Sequence, residues 1–288
     1  MSKEEPMGEA TAPARERPCE VAGGQAVPVL EVRHLRKAYP LREGERLAIE
    51  DVTFEVARGE LVCVVGPSGA GKTTLLRCLS GLMAPTSGEA RFEGEPIRSV
   101  PQGVGVVFQD YSRSLFPWFT VEKNLELALK VRSMGKEARG ERIAQVLAAV
   151  GLPEVGRRYP WQLSGGMQQR VAIARALSYQ PELLFMDEPF ASVDAQTRFE
   201  LEDLVLRIQG AMPDVTVVFV THDVDESVYL ADRVVALSRP PATVEAIVEI
   251  DLPKPRDQIE TRADPRFAAL RGEVLALVTG RTRRASGA

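Results

Sequence analysis

Long apolar runs are missing from this sequence. Nowhere do about 18 consecutive apolar residues occur, the length a helix needs to cross a bilayer, so the chain is expected not to span a membrane by itself. Cysteine is scarce as well: Cys19, Cys63 and Cys78 are the only three, without the spacing of a metal site or the even count of a disulfide framework. Cys63 lies in an apolar run and is expected to behave as a small buried hydrophobe. The opening Ser2-Lys3-Glu4-Glu5-Pro6 leads into no apolar signal core, and with the cysteine usage this predicts a reducing, cytosolic setting. There is no basic excess. A formal net charge of −4 excludes an overall electrostatic footprint for nucleic acid, and the locally basic Arg281-Thr282-Arg283-Arg284 reads as a solvated terminal cluster. What remains is ordinary globular composition over 288 residues, 44% hydrophobic and 26% charged, enough for one large domain or two small ones.

The stretch Gly66-Pro67-Ser68-Gly69-Ala70-Gly71-Lys72-Thr73 fits the phosphate-binding loop pattern of Gly, four free positions, then Gly-Lys-Thr. The apolar run Leu61 to Val65 before it reads as a buried strand, and Leu75, Leu76 and Leu79 after it fall on one helix face. In that context the glycines let successive backbone N–H groups curl around an anion, and the helix N-terminus adds its positive end. Lys72 is expected to reach the β- and γ-phosphates of a nucleoside triphosphate and Thr73 to ligate Mg²⁺.

Along the chain, residues 1–28 hold almost no large apolar side chain and are expected to form a disordered leader. Val29, Leu30, Val32 and Leu35 start a strand, and Ile49, Val52, Phe54 and Val56 alternate in the next. Ala90 to Ile97 has a hairpin pattern around Gly94, and Val104 to Phe108 is a strand delivering Gln109. Val121 to Val131 and Glu141 to Val150 carry helical periodicity and look like an inserted helical lobe. Leu183 to Met186 ends in Asp187-Glu188, and Val215 to Val220 ends in Thr221-His222. Apolar strands alternating with helices predict an α/β fold, with a mostly parallel sheet and helices on both faces. From Asp251 the composition predicts a peripheral tail (251–288) with one helix, roughly Phe267 to Val278.

Asp187 stands directly at the carboxyl end of its strand, where such sheets place ligands, and is the expected Mg²⁺ partner of Thr73. Glu188, one residue on, is the candidate general base for an attacking water. In Leu163-Ser164-Gly165-Gly166-Met167-Gln168 the serine is a good N-cap, and two glycines at a helix mouth suit a close approach to backbone, such as that of a γ-phosphate.

With these stretches assembled, the sequence from Val29 to Asp251 resembles the ATP-binding cassette (ABC) ATPases, the nucleotide-binding subunits of ABC transporters. The carriers of the resemblance are the loop at Gly66–Thr73, the signature beginning at Leu163 and the strand ending in Asp187-Glu188, together with Gln109, Val193-Asp194 and His222. The resemblance implies a P-loop NTPase (RecA-like) core over 29–250, with an antiparallel β subdomain and an inserted helical subdomain at about 110–180. It implies ATP and Mg²⁺ as ligands. Tyr39 would stack on adenine, and Gly66, Pro67, Ser68, Gly69, Ala70, Gly71, Lys72, Thr73 and Thr74 would cradle the phosphates. Thr73, Gln109 and Asp187 would serve the metal, and Glu188, His222 and Gln109 the hydrolysis. Ser164, Gly165 and Gly166 would close over the nucleotide of a second, identical cassette. The other partners implied are integral-membrane permease subunits and, through them, a solute-binding protein, with the chain peripheral on the cytoplasmic face of the membrane and no nucleic acid involved. Ser192-Val193-Asp194 departs mildly from the family, which more often has Leu before that aspartate.

Softer likenesses, Ser114-Leu115-Phe116-Pro117-Trp118 and Thr221 to Arg233 with Leu237-Ser238-Arg239-Pro240-Pro241, resemble importers of nitrate, sulfonates and taurine. Four aromatics between Asp110 and Phe119 fit either a contact surface for a permease or the local core of the helical lobe. His34 has no partner motif and is expected to be structural or exposed. Two other classes compete: a non-transport ABC ATPase, disfavoured by the absence of coiled-coil insertions and zinc-binding cysteines, and an unrelated P-loop kinase or GTPase, disfavoured by the Ser-Gly-Gly signature and His222.

Overall fold

The computed structural model describes residues 27–42, 44–110, 114–130 and 134–280. The expected leader, Cys19, Tyr111 and the basic Arg281–Arg284 therefore fall outside the described residues, apart from Val27 and Pro28 at the leader's end.

The fold grows from its apolar runs. β3 (Leu61–Val65), β7 (Leu183–Asp187) and β8 (Thr216–Thr221) are buried at every residue. They lie side by side in parallel, flanked by parallel β6 (Val104–Val107) and β9 (Arg233–Leu237). Burial on both faces explains why these strands read as continuous hydrophobic runs. The period of two divides each strand between two cores: Leu61, Cys63, Val65, Leu184, Met186, Val217 and Phe219 face one, and Val62, Val64, Leu183, Phe185, Val218 and Val220 the other. Cys63 and Cys78 are buried free thiols, and burial pushes both pKa values up, as suits inert packing residues.

The antiparallel arm belongs to the same ten-stranded sheet, in the order β5-β4-β1-β2-β10-β9-β3-β8-β7-β6. β1 (Leu30–Pro40), β2 (Glu45–Val56), β4 (Ser87–Phe92) and the short β5 (Glu95–Pro96) pair antiparallel around the helix α1 (Lys72–Leu79). β10 (Ala242–Glu249) joins the arm to the core, parallel to β2 and antiparallel to β9. His34 is exposed with φ of +46°, Nδ1 lying 3.1 Å from Asp51 Oδ2, at an irregularity where β1 bulges against β2. Gly88 explains the tightness there, because a Cβ on it would lie 2.0 Å from the His34 carbonyl oxygen.

Among the described residues between β6 and β7 every regular element is helical: α2 (Val121–Leu129), α3 (Lys136–Ala149), a 3₁₀ turn at Pro160–Gln162 and α4 (Gly165–Ser178). α5 (Ala195–Ala211) and α6 (Val224–Leu230) follow β7 and β8. The last residues are better anchored than a peripheral tail. Leu252, Phe267 and Val274 enter the main core, the last two from α8 (Pro265–Thr279), which follows the single turn α7 (Glu260–Ala263).

Arg262 of α7 is the clasp. Its guanidinium sits 4.9, 5.0 and 5.7 Å from the ring centres of Tyr229, Phe199 and Phe267, and donates to Glu202 Oε2 at 2.8 Å. Glu202 is 1% exposed, and burial raises its pKa against the opposing pull of Gln258 and Arg262. Arg262→Ala strands that carboxylate. A wholly buried pair broken this way loses roughly 3–5 kcal/mol. With Arg262 21% exposed and Gln258 still donating, the expected loss is smaller, at least about 2 kcal/mol by urea denaturation.

Candidate functional site

The chain leaves β3 at Val65 and curls through residues 66–71 into α1, with Gly69 and Gly71 at φ of +79° and +82°. A side chain at Gly71 is opposed twice, by that left-handed backbone and by the Ala48 carbonyl oxygen 3.0 Å from where its Cβ would stand. Lys72 is buried and folds back over the loop, its Nζ donating to the carbonyls of Gly66 (3.0 Å) and Pro67 (3.4 Å). Beside it the Thr73 hydroxyl donates to Asp187 Oδ1 at 3.1 Å. Asp187 is buried at the end of β7; burial raises its carboxyl pKa, the Thr73 hydrogen bond opposes this, and neighbouring Glu188 adds to it.

Glu188 has φ of +43°, a left-handed conformation costing a non-glycine residue about 1–2 kcal/mol. Its backbone N–H is tied to the Val220 carbonyl at 2.9 Å. Its side chain is held at both oxygens, Oε1 lying 3.4 Å from Lys72 Nζ and Oε2 2.9 Å from His222 Nδ1. His222 follows the last residue of β8, so adjacent parallel strands deliver the acidic pair and the histidine to one edge.

A cavity of about 670 Å³ opens over this edge. Lys72, Thr73, Thr74, Glu188 and His222 form one side, and Tyr39 with Arg46, Leu47 and Ala48 of the β1–β2 hairpin another. The volume falls in the usual range for small-molecule sites, roughly 300–1,000 Å³. The Tyr39 hydroxyl is placed by Thr74 Oγ1 at 3.2 Å and Met83 Sδ at 3.4 Å. Arg46, Tyr39's antiparallel partner, was not picked out from the sequence; strand register is its signal, and only the pairing reveals it.

Seven expected site residues do not line this cavity within one chain. Gly66, Pro67 and Asp187 stand directly behind it, bonded to Lys72 and Thr73, and the other four lie elsewhere. Gln109 is exposed beyond the end of β6, and Ser164, Gly165 and Gly166 sit at the mouth of α4, none of them lining it. Ser164 caps α4 as expected, accepting from the Met167 N–H at 3.3 Å. Gly166 has a packing reason for its small size: a Cβ there would meet Thr197 Cγ2 at 2.5 Å. Thr197 is fixed in turn by Asp194, the N-cap of α5, through contacts of 3.0 and 2.7 Å.

The aromatic segment after Gln109 is divided in its described part. Leu115 is buried, Phe116 and Phe119 are half-buried, and Trp118 is 67% exposed. Buried Asn124 organises it, accepting from the Phe116 N–H at 2.8 Å and donating to the carbonyls of Phe116, Phe119 and Thr120.

Behind Glu188 a water-sized cavity of about 10 Å³ is lined by Glu188, His222, Thr221 and Glu226. Burial pushes the Glu226 pKa up to about 8; a Thr221 hydrogen bond and Arg198 oppose this, and Glu202 and Asp223 reinforce it. Between the ordinary value of 4.5 and that raised value, the unfolded chain loses a proton that the folded chain keeps. Stability therefore falls as pH rises through this window. Glu226→Gln removes the dependence, so the variant's melting temperature relative to the parent should climb between about pH 5 and about pH 8.5. A gap that stays flat across calorimetric scans would contradict a buried, protonated Glu226.

Comparison with known proteins places this geometry. The family described as "ABC transporter" matches residues 49–191. The chain is similar to the nitrate import ATP-binding protein NrtD of Synechococcus elongatus, 45% identical over 243 residues that cover 83% of this chain and 87% of that one. It is also similar to the bicarbonate transport ATP-binding protein CmpC of the same species, 42% identical over 85% of this chain but 37% of that longer one. Among solved structures, the ATP-binding cassette MJ0796, a dimer in a post-hydrolysis state bound to ADP and Pi, aligns with TM-score 0.68 and 30% identity, covering 77% of this chain and 98% of that one. CbiO1 from Clostridium perfringens, part of the ABC transporter complex cbiONQ, aligns with TM-score 0.69 and 27% identity, covering 77% of this chain and 88% of that one. A lysine-bearing phosphate loop facing a strand-end Asp-Glu pair and a histidine, on this sheet and with these relatives, identifies the chain as an ATPase belonging to the ABC transporter family.

Proposed function

We propose that the chain is the ATP-hydrolysing subunit of an importer for a small inorganic oxyanion such as nitrate or bicarbonate. The observation that carries the hydrolytic part is Glu188, gripped between Lys72 and His222 beside the Thr73–Asp187 pair. Tyr39 receives the adenine, and the loop from Gly66 to Thr74 receives the phosphates, with Lys72 moving from the Gly66 and Pro67 carbonyls onto phosphate oxygens. Among the described residues no group of three or more His, Cys, Asp or Glu side chains forms a metal cluster. The Thr73 and Asp187 oxygens instead suit Mg²⁺, which is commonly held by one or two protein groups plus substrate phosphates. Such an ion would be held by Thr73 and Asp187, with Gln109 as the third expected ligand, and would supply charge neutralisation at the nucleotide's phosphates. Glu188 accepts the proton of the attacking water and His222 orients Glu188.

Ser164, Gly165 and Gly166, remote from the cavity of their own chain, complete the site of a second cassette, so hydrolysis requires a closed homodimer. No helix among the described residues is long and apolar enough to cross a membrane. The translocation path is therefore assigned to separate permease subunits, docked through the surface around exposed Trp118 on the cytoplasmic face. A solute-binding protein selects the cargo.

Nitrate and bicarbonate appear in the names of the relatives; the sulfonate and taurine expected alongside nitrate gain no support from those relatives. The deciding experiment is ATP hydrolysis by the subunit reconstituted with its permease and binding protein in liposomes. Nitrate, bicarbonate, taurine and a neutral sugar would be offered in turn. Stimulation by nitrate or bicarbonate alone supports the reading; stimulation by taurine or the sugar, or by none, overturns the cargo while leaving the ATPase.

A further inference from the structure

A second cleft, of about 730 Å³, opens where the turn before β3 meets the end of α5. It lies at the amino-terminal ends of the parallel strands, across the sheet from the phosphate loop at their carboxyl ends. Its floor is tight: Gly59, at φ of +75°, packs so closely that a Cβ would lie 2.3 Å from the Pro213 carbonyl oxygen. Leu206, Pro213 and Pro255 supply apolar walls.

The charges around the cleft are unbalanced. Lys254 is neutralised by Asp232 at 2.5 Å, and Asp203 is engaged by the Tyr229 hydroxyl and Gln258. Arg207 makes no side-chain hydrogen bond or ion pair among the described residues. Arg256 uses Nη1 on the carbonyls of Tyr229 (2.9 Å) and Ala231 (2.8 Å), while its Nε and Nη2 are buried without a hydrogen-bond partner. Burial lowers its pKa, so the cation is held in a setting that disfavours it. Buried donors left unbonded are uncommon in native proteins, and these two become available to an acceptor in the cleft when the guanidinium turns outward.

We propose that this cleft binds a small amphipathic organic anion, its carboxylate, sulfonate or phosphate held by Arg207 and Arg256 and its apolar body lying against Leu206, Pro213 and Pro255. Guanidinium forks favour planar or tetrahedral oxyanions, and the cleft volume matches a ligand of drug-like size. Neither arginine belongs to the nucleotide site. The occupant rests on α5, whose opposite end carries Asp194 and Thr197 against Gly166, so it bears on the helix that supports the signature glycine.

Gly210 makes the test clean. It lines the cleft on α5, and a Cβ built on it meets nothing within 4 Å, so Gly210→Phe adds a bulky ring at the cleft without a clash at its Cβ. The full chain, saturated with ADP to occupy the nucleotide pocket, is titrated with anilinonaphthalenesulfonate by fluorescence. Gly210→Phe and Arg207→Glu should each weaken the saturable binding by about tenfold or more, and the uncharged analogue N-phenylnaphthylamine should bind the parent about tenfold more weakly than the sulfonate. Basal ATP hydrolysis and melting temperature verify that both variants are folded. Parent-like affinity in both variants, or equal binding of the uncharged analogue, overturns the proposal.

Discussion

Glu188→Gln is expected to leave ATP binding intact while lowering turnover by about 100- to 10,000-fold, the usual contribution of a positioned general base. Glutamine is nearly isosteric, so the left-handed backbone at φ of +43° and its tie to Val220 are preserved. What is lost is the acceptor for the water's proton. The amide can still meet His222 through its oxygen or its NH₂, so the histidine stays in place. Binding without chemistry should trap the closed assembly. Size-exclusion chromatography with ATP and Mg²⁺ should show a dimer that the parent forms only in passing. Near-normal turnover in a folded variant would remove Glu188 as the base and shift attention to His222.

Lys72→Ala acts one step earlier, on the nucleotide itself. The lysine is buried, its Nζ held by two loop carbonyls and by Glu188, and it is a charged group of the loop itself. A hydrogen bond to a charged group contributes about 1.5–3 kcal/mol, so ATP affinity should fall by roughly 10- to 150-fold. The fold should survive, because alanine keeps the helix start and removes a buried cation along with its long side chain. Titration with a non-hydrolysable ATP analogue measures this directly. Affinity within about twofold of the parent would contradict the phosphate-loop assignment. The two variants separate the steps: one should bind without hydrolysing, the other should fail to bind.

How much of this was legible in the sequence follows from what each feature depends on. The phosphate loop, the strand-end Asp187-Glu188 and the Ser164 cap are local patterns, and their structures match because the flanking runs fix them. The buried strands were readable because two-sided burial leaves little room for polar residues. Non-local pairing was not readable. Nothing in Ala242–Glu249 announces that it welds the antiparallel arm to the parallel core, since its burial alternates irregularly and it pairs with strands of both directions. Arg46 in the cavity beside the phosphate loop and Thr197 beside Gly166 depend on register and helix packing, which sequence spacing does not encode. The anchoring of α8 was missed because Phe267 and Val274 are its only buried residues, too few to mark an apolar face.

The sheet order carries a consequence for how the chain is born. β3, which leads into the phosphate loop, pairs with β8 and β9, so Leu61 waits for Val217 and Cys63 for Val234. β2, which carries one wall of the cavity beside the phosphate loop, meets β10 only through Ala242 and Thr243. On a ribosome the loop is therefore synthesised early, but β3 has no neighbouring strand until three-quarters of the chain has been made. Contacts so distant in sequence form slowly and leave apolar strands exposed in the interval. A nascent chain halted before residue 216 should thus carry an intact phosphate-loop sequence yet retain no ATP, and the capacity to hold nucleotide should appear abruptly, late in elongation, as β8, β9 and β10 emerge.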